Sequence, residues 1–130
     1  MPTPPEIRFL SLFVPDLKDA ARRYQAMLGV APSAGTAGVP SPHPFASAGP
    51  MVFELGAVKL ALYQCDMQGT HPGDVGIGLQ LDEPPQQLAQ RARQQGGQPF
   101  FGPAPVLDER HQLVALMMPD RHFFEAVGPR

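Results

Sequence analysis

Two stretches of this chain repeat the same order of sequence signals at the same spacing. In each stretch, an apolar strand pattern is followed by an aspartate, a helical pattern and a glycine. Phe9 stands 20 residues before Gly29, and Gly76 stands 20 residues before Gly96. Alternating apolar residues favour strands, whereas apolar residues spaced three and four apart favour helices. The chain is therefore predicted to fold as two copies of one strand–helix unit.

The first copy is predicted to begin with a strand over Ile7–Val14, which is apolar on both faces. Asp16 is the predicted N-cap of a helix whose apolar stripe runs from Leu17 to Leu28. Gly29 is expected to end this helix in the left-handed conformation.

The rest of the first copy is predicted to be a loop and a hairpin. Residues 31–50 have no charged side chain and contain five prolines, so we expect a long loop with at most a short edge strand. Met51–Leu55 and Val58–Gln64 flank Gly56, a pattern typical of a hairpin.

The second copy is predicted to start with a strand over Val75–Leu81, after which Asp82 caps a helix that ends at Gly96. No strand is predicted in the proline-rich stretch that follows. Gln112–Met118 and His122–Val127 are predicted to form a last hairpin. Because 130 residues suit a single domain, we expect one α+β domain over residues 1–130, with modules of about 6–66 and 74–128.

Composition excludes several classes of function. A net charge of -2 gives no basic surface for nucleic acid. The single cysteine, Cys65, cannot form an intrachain disulfide. No apolar run is long enough to span a bilayer, and residues 1–6 lack the pattern of a signal peptide. We therefore expect a cytoplasmic protein with no nucleic-acid or membrane partner.

Three stretches are similar to a known family. FLSLFVPDLKDAARRYQAMLGV resembles the opening strand and helix of the vicinal oxygen chelate superfamily, which includes glyoxalase I, bleomycin-resistance proteins and extradiol dioxygenases. VGIGLQLDEPPQQLAQRARQQGG resembles the start of the second module of that family, and MPDRHFFEAV resembles its closing turn and strand. The resemblance implies a glyoxalase-like fold, in which two βαβββ modules form a cupped mixed sheet around a cavity. It also implies a homodimer.

The resemblance also indicates where the metal enzymes of the family carry their ligands. The four positions fall here on Phe9, Ala61, Gly76 and Glu125, of which only Glu125 can bind a metal. A divalent ion needs three or more protein ligands, so we expect no metal and no cofactor. Arg121 also departs from the family pattern, which usually has glycine in the closing turn.

The four histidines do not rebuild a metal site. A hairpin about residues 119–121 would place His111 opposite Pro129, roughly 24 Å from His122 at strand spacing. His43 and His71 lie in loops without a second ligand at a suitable spacing. Each histidine is therefore interpreted as a surface or turn residue.

The resemblance and the alternation of side chains together predict a pocket lining that is aromatic, partly polar and open at two glycines, which is typical of a ligand pocket. The predicted lining residues are Phe9, Ser11, Phe13, Lys59, Ala61, Tyr63, Gly76, Gly78, Gln80, Phe123 and Glu125. Glu125 is the one catalytic candidate, as a general base. Its alternative is a solvated carboxylate at a strand end.

Three functional hypotheses follow. The first is a metal-independent glyoxalase/bleomycin-resistance-like homodimer that binds a small, partly apolar ligand, for example to sequester it. The second is a metal-dependent lyase, isomerase or dioxygenase of the glyoxalase type. The third is a structural protein whose own side chains fill the cavity. Residues 31–50 either close over the pocket or form a disordered surface loop.

Overall fold

A computed structural model describes residues 3–35 and 38–130 of the chain. Contacts within the chain divide it into a first unit, Phe9–Val75, and a second unit, Gly76–Arg130 together with the segment that ends at Arg8. In chain order the elements are β1 (Glu6–Val14), α1 (Leu17–Leu28), β2 (Ala46–Leu55), β3 (Val58–Cys65), β4 (Val75–Gln80), α2 (Pro85–Gln94), β5 (Gln98–Val106), β6 (Asp108–Met117) and β7 (Phe123–Pro129).

In the first unit the strand order is β2-β3-β1, with β1 parallel and β2 antiparallel to β3. The helix α1 packs on one face of these strands through the apolar stripe seen in the sequence. Val14, Ala21, Phe53 and Leu62 are the buried centre of this packing. Tyr24 is among the half-buried side chains around them.

Both predicted ends of α1 are confirmed. The Asp16 carboxylate accepts a hydrogen bond of 3.1 Å from the Asp19 N–H. Gly29 has a φ of +76° and donates its N–H to the Gln25 carbonyl. The Gln64 side chain adds a link to β3, since it accepts a 2.8 Å hydrogen bond from the N–H of Leu17.

In the second unit the strand order is β4-β7-β6-β5. The strands β4 and β7 are parallel, and the other pairs are antiparallel. The predicted register of the last hairpin is confirmed, because His111 lies opposite Pro129. Arg121, which stands where the resembling family usually has glycine, has a φ of +74° in the turn. The described part of the first unit has two strands after its helix, whereas the second unit has three.

The predicted cap of α2 is wrong. Pro84 is the N-cap residue and makes no side-chain cap hydrogen bond. The Asp82 carboxylate instead accepts a 3.1 Å hydrogen bond from the N–H of Thr3. The helix tolerates the missing cap because Pro85, in its first turn, has no N–H that would need an acceptor.

Two strand predictions also need correction. The stretch Gln98–Val106, predicted to have no strand, is β5. The strand β2 begins at Ala46, five residues before the predicted Met51. Each of these strands lies at the end of the strand order of its unit and has register shifts. β2 contains one proline and β5 contains three, and proline within a sheet is confined to such edge strands and irregular positions.

Neither α1 nor α2, the helices of the described chain, has the length and apolar character of a membrane span.

Candidate ligand-binding site

The first unit brings six of the predicted lining residues together on one side of β1 and β3. The parallel register sets Phe9 beside Lys59, Ser11 beside Ala61, and Phe13 beside Tyr63. Five of the six are at most 1% exposed, and Lys59 is half-buried. We call these six residues the first-unit face.

Residues of the long loop cover one end of the first-unit face. The ring of His43 lies 5.0 Å from that of Phe13 and 4.8 Å from that of Tyr63, both edge-on. The Tyr63 hydroxyl donates a 2.6 Å hydrogen bond to the carbonyl of Pro40. This part of residues 31–50 is therefore folded onto the aromatic residues and is not a disordered surface loop.

His43 was predicted to be a surface or turn residue, and this is wrong. It is 3% exposed, and its Nδ1 accepts a 3.0 Å hydrogen bond from the N–H of Phe45. This hydrogen bond gives the buried imidazole a polar partner, while its ring packs against the aromatic rings of Phe13 and Tyr63. The sequence around His43 is uncharged and has Phe45 as its one aromatic residue, which does not by itself indicate that the loop folds inward.

Ser11 is the unusual polar residue of the first-unit face. It is fully buried, and its Oγ makes no hydrogen bond to any residue that the structure describes. Its neighbours on the same side of β1 are Phe9 and Phe13, and Ala61 lies beside it on β3. Burying a hydroxyl without a partner costs about 1–3 kcal/mol, so such a group calls for a functional explanation.

The second unit brings the remaining predicted residues together on β4 and β7. The register sets Gly76 beside Phe123 and Gly78 beside Glu125, while Gln80, half-buried, lies beside Val127. A Cβ placed on Gly76 would lie 2.5 Å from Oε1 of Glu125 and 2.9 Å from Cε1 of Phe123. Gly76 is therefore required for the close approach of these two side chains.

Glu125 is fully buried, so the alternative interpretation as a solvated carboxylate is wrong. Its side chain reaches back along β4 from its register partner Gly78 to Gly76. Two of the four positions that correspond to metal ligands in the resembling family, Gly76 and Glu125, therefore meet within the second unit. Whether Glu125 acts as a base stays a prediction.

The residues at the four positions do not fit a divalent metal ion. Phe9, Ala61 and Gly76 carry no atom that can ligate one, and a single carboxylate does not make a site. Within residues 3–35 and 38–130, no three side chains of His, Cys, Asp or Glu are grouped so that they could hold a metal.

Neither a family model nor a curated protein matches this sequence. Solved structures do match. A protein described as an NAD-dependent benzaldehyde dehydrogenase from Legionella pneumophila is 11% identical, with 94% of this chain and 98% of that chain covered at a TM-score of 0.63. An uncharacterised protein from Methanosarcina mazei is 15% identical, with 96% and 94% covered at a TM-score of 0.51.

The matches also include a glyoxalase/bleomycin resistance protein/dioxygenase from Nocardioides. It is 20% identical and covers 98% of this chain and 85% of its own, at a TM-score of 0.38. The chain has an α+β fold in which each unit joins one helix to mixed strands, so the α+β part of the predicted fold class is confirmed. At these identities the likeness to solved structures extends to the fold alone, so the activity of this chain must be argued from its own residues.

Proposed function

We propose that this glyoxalase-like protein binds a small, partly apolar molecule as a homodimer, without a metal ion. Sequestration of that molecule is one form of this function. The observation that carries the proposal is the buried hydroxyl of Ser11, which has no hydrogen-bond partner among the described residues. A ligand with one polar group and an apolar body would satisfy the hydroxyl and remain compatible with the aromatic residues around it.

The composition of the first-unit face supports a partly apolar ligand. Phe9, Phe13 and Tyr63 supply aromatic surface, and Lys59 supplies one cation at its end. Binding sites for small molecules are mostly apolar, with few polar groups that fix orientation. The polar side chains of the first-unit face are Ser11, Lys59 and Tyr63, and the Tyr63 hydroxyl donates to Pro40. Ser11 is the group among them to which the proposed ligand would hydrogen-bond.

The four ligand-type positions support independence from metal. Three of them hold Phe9, Ala61 and Gly76, and the space at Gly76 is taken by Glu125 and Phe123. A metal-dependent lyase, isomerase or dioxygenase would need at least two further ligands beside Glu125. Metal analysis distinguishes such a metal-dependent enzyme from a protein that binds its ligand without metal.

The protein is purified without chelator, dialysed, and analysed for Zn, Ni, Mn and Fe. We expect less than stoichiometric metal, and no rise in melting temperature when each ion is added in excess, because only ligands of the native state stabilise it. One equivalent of any of these ions, retained after dialysis and lost in a Glu125→Gln variant, would overturn the proposal in favour of the metal enzyme. Exposed Glu109→Gln is the matched control for the substitution.

A further inference from the structure

The helix–sheet packing of the second unit lacks an aromatic side chain that the first unit has. When the two 20-residue spacings are aligned, Leu12 corresponds to Leu79, and Tyr24 of α1 corresponds to Arg91 of α2. In the first unit, Tyr24 packs against the buried centre below α1. An arginine at the equivalent position does not supply that apolar volume.

A cavity of about 250 Å³, largely open to solvent, lies between α2 and the strands of the second unit. Its walls include Leu79, Leu116 and Phe124 from the strands. Leu88, Arg91 and Ala92 of α2 also line it, as does Met118, which follows β6. Phe124 and Leu79 alternate with Phe123 and Gly78 along their strands, so the cavity lies on the opposite side of the sheet from Glu125. The cavity is therefore separate from Glu125, and all of its lining residues belong to the second unit, whereas Ser11 belongs to the first.

The charge of Arg91 is already balanced. Its guanidinium donates two hydrogen bonds, of 2.8 and 2.7 Å, to the two carboxylate oxygens of Glu83. The Glu83 side chain is 6% exposed, whereas that of Arg91 is 51% exposed. An anionic ligand would compete for the guanidinium and leave the buried Glu83 carboxylate without its cation. A cationic ligand would lose its hydration against apolar walls.

Size and charge together define the occupant. An enclosed apolar cavity of about 150 Å³ in another protein accommodates benzene; the open pocket of about 250 Å³ here has room for two fused rings. A guanidinium that donates from its edge keeps its faces available to stack on an aromatic ring. We propose that the cavity below α2 is a second binding site, specific for an uncharged bicyclic aromatic molecule that packs between the leucines and Arg91.

Indole is a suitable probe, and indole-3-carboxylate is its anionic counterpart. Titration of the 15N-labelled full chain with indole, followed by amide NMR, should give saturable shifts in α2, β4, β6 and β7. The anion should bind more weakly. Shifts that grow linearly without saturation, that centre on β1 and β3, or that are equal for both probes would overturn the proposal.

Filling the cavity tests the location independently. Ala92→Leu should weaken indole binding about tenfold or more, because the added side chain takes the space of the ligand. Ala26→Leu, at an exposed position of α1, is the matched control and should bind like the unmodified chain. If Ala92→Leu does not fold, Leu88→Phe tests the same space. A folded cavity-filled variant with unchanged affinity for indole would refute this site.

Discussion

The hydroxyl of Ser11 can be removed with the loss of only one atom. Because the Oγ has no partner among the described residues, Ser11→Ala replaces an uncompensated polar group by a methyl group of similar size. We expect the free energy of unfolding to rise by about 1 kcal/mol. Urea denaturation measures the change. Ser41→Ala, which removes the hydroxyl of an exposed residue, is the control and should have little effect. A clear loss of stability in Ser11→Ala would show that the Ser11 hydroxyl is bonded after all.

Gly76 is under a strict size limit. A Cβ there would lie 2.5 Å from the Glu125 carboxylate, which is fully buried. We expect Gly76→Ala to lower the free energy of unfolding by about 1–3 kcal/mol, since Glu125 and Phe123 must move. Gly35→Ala is the matched control, because nothing lies within 4 Å of its added Cβ, and should change stability by less than about 0.5 kcal/mol. Equal effects at both glycines, measured by thermal or urea unfolding, would contradict this packing.

Alternation along the strands, together with the family resemblance, predicted which residues share a face. Ser11 and Glu125 were both chosen in this way, and both are buried. The burial of His43 was not predicted, because its contacts with Phe13 and Tyr63 join residues far apart in sequence. No local pattern specifies where a loop of many prolines folds back.

At the level of elements, the two helix starts differ in a way that mutation can test. Asp16 caps α1, whereas Asp82 bonds to Thr3 and leaves α2 uncapped by a side chain. Asp16→Ala should therefore lower the free energy of unfolding by about 1 kcal/mol. Urea denaturation of Asp16→Ala and Asp16→Asn makes the comparison, because asparagine also caps helices and should recover most of the loss. Failure of asparagine to do so would exclude capping as the cause.

The ion pair between Arg91 of α2 and Glu83, which precedes the helix, contributes a pH-dependent part of the stability. The hydrogen bonds from Arg91 hold the pKa of the Glu83 carboxyl below its ordinary value of 4.5. Because the pKa is lower in the folded state, the pair stabilises the fold above pH 4.5, and this contribution disappears as the pH falls through the lowered pKa. Between pH 6 and pH 3, the unmodified protein should lose more stability than Glu83→Gln.

The measurement is the urea midpoint of both proteins as a function of pH. Exposed Glu54→Gln controls for the general loss of a carboxylate. A constant difference between Glu83→Gln and the unmodified protein across this pH range would show that the ion pair contributes nothing to the pH dependence.

Strand β5 was not predicted because its sequence is rich in proline. It contains Pro99, Pro103 and Pro105, which remove N–H donors from one strand of the ladder. Such a strand is stable at the end of the order β4-β7-β6-β5, because it needs hydrogen bonds on one side alone. The position of β5 at the edge of the sheet therefore allows a strand where the composition is typical of a loop. By contrast, α1 and the last hairpin carried their own capping and turn signals and were predicted closely.

At the level of the whole molecule, repetition was the most informative signal. The equal spacings from Phe9 to Gly29 and from Gly76 to Gly96 predicted two related units, each of which has a first strand parallel to its last one. The same alignment relates Tyr24 to Arg91 and so accounts for the cavity below α2. The identity of the ligand could not be predicted in this way, because recognition depends on a few side chains such as Ser11 and not on a repeated pattern.

Native mass spectrometry of the protein isolated from its expression host tests the proposed function most directly. We expect a dimer of the 14.0 kDa chain that carries a small organic molecule and no metal ion, with less of that molecule on Ser11→Ala and an unchanged amount on Ser41→Ala. A monomer alone, a dimer with metal-ion mass increments, or an organic adduct equally abundant on Ser11→Ala would contradict metal-independent binding at Ser11.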